Sequence, residues 1–108
     1  MHALINIGLN RNNGADAHVA RHEIRNAFER FEVVELKYRE ALPEPGTEVE
    51  GTYIAHVSGW SRDKAWKIAA MLDQDAIAQY DLAECEGDLV GPNASVWGPF
   101  DPEYFKLL

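Results

Sequence analysis

Between residues 3 and 81 the spacing of apolar side chains passes from alternation to helical periodicity and back, twice over, and few folds accommodate that order. Ala3, Ile5, Ile7 and Leu9 alternate with Leu4, Asn6 and Gly8, the pattern of a strand with one face in a core. Ala20, Ile24, Ala27, Phe28 and Phe31 then recur at helical spacing, which predicts a helix from Asp16, as its N-cap, to about Phe31. Alternation returns over Val33 to Arg39, with Val34, Leu36 and Tyr38 expected on one face and Glu35, Lys37 and Arg39 on the other. Pro43-Glu44-Pro45-Gly46 marks a turn, and Thr52 to Val57 reads as a third strand. Ser61 is placed to cap a second helix, with Asp63 in its first turn and Ala65, Ile68, Ala69 and Leu72 as its buried stripe. A fourth strand follows at about Ala76 to Asp81.

Two strand-helix-strand units in series bury their apolar faces most simply as a four-stranded antiparallel sheet with both helices on one face. The expected class is therefore α+β, a ferredoxin-like β-α-β-β-α-β sandwich. With 108 residues there is room for one core, so residues 1–108 are expected to form one domain, a core over 1–82 and an extension over 83–108. Within the extension, Leu89-Val90 suggests a short edge strand closed by Gly91-Pro92-Asn93. Asp101-Pro102 suggests the start of a short terminal helix over Glu103 to Leu108. Val96, Trp97, Phe100, Tyr104, Phe105 and Leu107 give this tail enough apolar surface to seek the sheet or a partner.

Charge separates the two parts. Ten Lys and Arg against eighteen Asp and Glu give a net charge of -8, which argues against direct binding of nucleic acid. Residues 1–72 hold ten acids and nine bases, a difference of -1, whereas residues 73–108 hold eight acids and Lys106 alone, a difference of -7. Acids interleaved with aromatics suit docking on a basic protein surface, with Asp81, Glu84, Glu86, Asp88, Trp97, Phe100 and Tyr104 as the contact residues. The single cysteine, Cys85, permits no internal disulfide and no thiolate metal cage, and it reads as a bystander thiol. No basic, apolar leader opens the chain and no stretch is apolar enough to span a bilayer, so a cytoplasmic location is expected and no membrane partner.

Other constellations are sparser. His18 and His22 stand four apart on the first helix, with Glu29 further along, a spacing that zinc can use. Helical geometry puts both imidazoles opposite the apolar stripe, on the face turned to water. Asn10, Arg11 and Asn12, after a strand and before a helix, suit an anion or other ligand at a helix N-terminus, although Asn and Gly also serve as plain turn residues. Ser58, Ser61 and Ser95 are accounted for by turns and a cap, and His56 alternates along a strand, so no nucleophile with a base is legible and no cofactor is expected. Asp73 and Asp75 form an Asp-x-Asp pair that would present two carboxylates to Mg²⁺ if the chain is extended there.

With Gly8-Leu9-Asn10 in the opening strand and Asp73 and Asp75 before a later one, the core faintly resembles the pterin pyrophosphokinase family, whose segment ahead of the aspartates is matched only at Trp66-Lys67. That resemblance implies metal ligation by Asp73 and Asp75 in a small Mg²⁺-dependent nucleotide enzyme. Gln74-Asp75-Ala76-Ile77-Ala78, Gly87 to Pro92 and Trp97-Gly98-Pro99-Phe100 look like small uncharacterised proteins of bacterial and mobile-element origin. This second resemblance brings no activity with it and implies an accessory or phage-related protein. It is the acidic layout that would let such a protein occupy a partner's nucleic-acid groove as a phosphate mimic, in a defence complex for instance. The leading expectation is such a binding protein. The nucleotide enzyme and a homodimeric ligand-binding domain stand as alternatives.

Overall fold

The computed structural model describes residues 1–9, 14–41, 51–97 and 105, without the side chains of 14–17, 96 and 97. The elements run β1 (Ala3–Leu9), α1 (Gly14–Arg30), β2 (Val34–Ala41), β3 (Gly51–Ser58), α2 (Arg62–Met71), β4 (Ile77–Asp81) and β5 (Glu86–Val90), then a short 3-10 turn at Ala94–Trp97. All strand pairings are antiparallel, and the sheet has five strands in the order β2-β3-β1-β4-β5. The expected four-stranded sheet is thus corrected to five. The suggested edge at Leu89-Val90 is a full strand that begins at Glu86 and pairs along β4. Glu, Gly and Asp are poor strand formers alone, so the register with β4, and no local propensity, makes this strand.

The core lies on one side of the sheet. Ala3, Ile5, Ile7 and Leu9 of β1, Tyr53, Ala55 and Val57 of β3, and Ile77 of β4 are buried with Ile24, Ala27 and Phe28 of α1 and Ala65, Ile68 and Ala69 of α2. Both helices therefore cover the same face, as the apolar stripes require. Ser61 caps α2 as expected: its backbone is extended and its hydroxyl accepts from the Lys64 N–H at 3.1 Å. The start of α1 differs from expectation. The helix begins at Gly14, so Asp16 stands inside it instead of at its cap.

The second departure is in β2. Its register against β3 slips between Glu35 and Lys37, placing Leu36 at a bulge. An extra residue reverses the alternation, so Glu35 and Tyr38 lie on the helix-bearing face and Lys37 and Arg39 on the other. The three apolar side chains expected to share one face, Val34, Leu36 and Tyr38, are divided by the bulge, and all are exposed on this edge strand. Tyr38 stacks on the buried Tyr53, with ring centroids 5.2 Å apart, and the Arg25 guanidinium lies 4.8 Å above the Tyr38 ring. Arg21 of α1 pairs with Glu40 of β2 at 3.2 Å. A polar and aromatic seam replaces apolar burial between α1 and this edge.

On the opposite face, Phe105 is buried over Ile54 and Ala78, flanked by Leu4, Tyr80 and Leu89. The tail thus returns to the sheet at that residue. The expected terminal helix over Glu103 to Leu108 otherwise lies outside the described residues.

Candidate functional site: the acidic β4–β5 end

The β4–β5 hairpin carries the acids singled out in the sequence. Four residues, Leu82 to Cys85, connect Asp81 to its register partner Glu86. Asp81 is committed to this turn, since its Oδ1 accepts the N–H groups of Ala83 at 2.9 Å and Glu84 at 3.2 Å. A short acceptor followed by free backbone donors is the reason Asp suits such a position. Cys85 holds the turn's left-handed residue, with φ 54°, and its thiol lies beside Tyr80, a contact that pushes the Tyr80 hydroxyl above its usual range.

Asp88 is also partly occupied. It forms an ion pair with Arg62 at the start of α2, and its Oδ1 accepts the N–H of Leu89 at 2.8 Å. Glu84 and Glu86, by contrast, are exposed, and no ion pair within the described residues involves either. The four-acid contact set read from the sequence therefore divides. Glu84 and Glu86 carry charge that no described residue pairs with, while Asp81 and Asp88 spend part of theirs on the hairpin and on α2.

Exposed apolar side chains occur on the hairpin and on α2, in residues that sequence reasoning did not single out. Leu82 at the hairpin tip is exposed, and so is Trp66, at 49%. Trp66 follows Arg62 by one helical turn, so it shares the side of α2 that Arg62 directs towards Asp88. The available signal was the spacing in Arg62-Asp63-Lys64-Ala65-Trp66: an aromatic four residues past a charged N-terminus, off the Ala65-Ile68-Ala69 stripe. Of the aromatics that were expected at the contact, the side chain of Trp97 and the residues Phe100 and Tyr104 lie outside the described residues.

The other candidates fall elsewhere. Asp73 has φ 54° just past the end of α2, and it lines a cleft of about 300 Å³ with Gly8, Ala20, Glu23, Ile24, Leu72 and Gln74. Asp75 has a different task. Its carbonyl accepts the Asn93 N–H at 2.9 Å, and its carboxylate lies 3.4 Å from the Asn93 amide nitrogen. Gly91 sits so close that a Cβ there would come within 2.5 Å of the Asp75 carbonyl oxygen. The left-handed residue at Asp73 breaks the extended geometry on which a shared Mg²⁺ site rested, and Asp75 is placed to fasten the loop after β5. Asn10, Arg11 and Asn12 lie outside the described residues. His18, His22 and Glu29 are exposed, His18 is in hydrogen-bond contact with Arg21, and no metal-holding group of three such ligands occurs among the described residues.

No protein-family model, curated protein or solved structure matches this chain.

Proposed function

We propose that this chain is a binding protein that docks its β4–β5 end on a basic surface of a partner protein. The observation that carries the reading is the exposed pair Glu84 and Glu86 at the hairpin end, with Leu82 exposed in the same turn and Trp66 exposed on α2, one turn from the Arg62 that pairs with Asp88. Unneutralised charge speeds encounter and selects sign, and a flat aromatic supplies an anchor that charge alone does not. The fold supports this use if it is read as a ferredoxin-like sandwich with β5 appended: β1 lies between β3 and β4, β2 lies beyond β3, and the added strand carries the acids. An accessory or anti-defence role, with the hairpin imitating a run of phosphates, is the biological form that fits a surface of this sign.

The test uses tagged protein to capture partners from the native cell at low and high salt, beside the E84Q/E86Q and Trp66→Ala variants. The reading predicts a partner held by the wild type at low salt, released at high salt, and lost from both variants while their circular dichroism is unchanged. A partner retained equally by all three proteins contradicts it.

A further inference from the structure

β5 is an outer strand of the sheet, and its far side is unpaired among the described residues. In an antiparallel pair only alternate residues exchange backbone hydrogen bonds with their neighbour, and the others face outward. Leu89 belongs to the outward set, because its N–H donates to the adjoining Asp88 carboxylate at 2.8 Å. By alternation Gly87 belongs to it too. The side chains sort just as cleanly: Asp88 meets Arg62 of α2 and Val90 enters the main core, whereas Leu89 lies on the opposite face near Phe105. Glu86, two residues from Asp88, shares the helix-bearing side.

We infer that the β5 edge accepts an extended basic segment of the partner as a sixth strand. This rests on the acidic-docking reading above and specifies its geometry. Charge complementarity fixes the occupant: Glu84, Glu86 and Asp88 fall within five residues, and among the described residues only Asp88 of the three has a cation partner, Arg62. A strand with Lys or Arg at every second position sets those cations against Glu86 and Asp88, and its intervening apolar residues beside Leu89. An arginine on that side also reaches the exposed face of Trp66. The Asp88 carboxylate on the Leu89 N–H holds the place that a carbonyl of the added strand takes.

The experiment titrates the ¹⁵N-labelled full chain with a short peptide alternating lysine and valine, and with the same peptide N-methylated at every residue. Methylation keeps the charge and removes the backbone donors. The expected result is a shift of the Gly87 and Leu89 amides by the unmodified peptide alone, with at least about tenfold tighter binding than the methylated one. Equal binding of both peptides, with shifts centred on Glu84 and Glu86, overturns strand addition while acidic docking stands. Binding of neither peptide overturns both.

Discussion

The indole N–H of Trp60 donates to the side-chain oxygen of Gln79 at 2.7 Å, and both residues are buried, Trp60 at 2% exposure and Gln79 at 4%. This bond ties the segment entering α2 to the central part of β4, beneath the helices, and it satisfies a donor that has no access to water. The N-terminus joins the same corner, since the Met1 ammonium donates to the Trp60 carbonyl at 2.9 Å. Replacing Gln79 by Ala strands the indole donor and opens a small cavity. The expected cost is about 1–3 kcal/mol for the unmet donor, read from the urea midpoint, and tryptophan emission shifts as the indole loses its partner. An unchanged midpoint would show that the bond does not stabilise the fold.

Tyr53 gives a pH signature. Burial first, then the hydrogen bond to Glu35, hold its hydroxyl well above the ordinary value of 10.0. The folded chain therefore keeps a proton that the unfolded chain has released, so stability is full below pH 10 and falls as pH rises beyond it. Alkaline melts from pH 9 to pH 11 should show Tm falling in the wild type. Tyr53→Phe makes that slope shallower, leaving the part that Tyr80 contributes, and costs about 0.5–1.5 kcal/mol at neutral pH. A Tm of Tyr53→Phe that falls in parallel with the wild type would count against this assignment.

Arg62 and Asp88 are both well exposed, with side chains at 63% and 46%, so their ion pair is screened by solvent and adds little to stability. Arg62→Gln is expected to change the unfolding free energy by less than about 1 kcal/mol. It also frees the Asp88 carboxylate, so affinity for a basic partner should rise, by about two- to fivefold at low salt and less at high salt. Weaker binding by this variant would mean that Arg62 itself touches the partner.

Much of the fold was legible because apolar spacing records which face of each element is buried. β1, β3, both helical stripes and the Ser61 cap stand where the pattern puts them. The failures are local and have causes. One extra residue at Leu36 inverts every side chain beyond it, and alternation carries no mark of a bulge. β5 was read as two residues because Glu86-Gly87-Asp88 lacks strand propensity, and only the register with β4 extends it. The site was half legible. Acidity in the last third was visible as composition, but the commitment of Asp81 to the turn and of Asp88 to Arg62 depends on hydrogen bonds that a charge count does not contain. Trp66 lies off the stripe of Ala65, Ile68, Ala69 and Leu72 that the spacing already gives, but the spacing does not show that Arg62, one turn before it, turns towards Asp88.

The most direct measurement of the docking account is hydrogen exchange on the chain alone and in complex with its captured partner, resolved to single amides. The account predicts new protection over 82–90 and around Trp66, strongest at Gly87 and Leu89, with α1 and β2 unchanged. Protection confined to the β2 edge at Val34 to Tyr38, with residues 82–90 exchanging as freely as before, would contradict it.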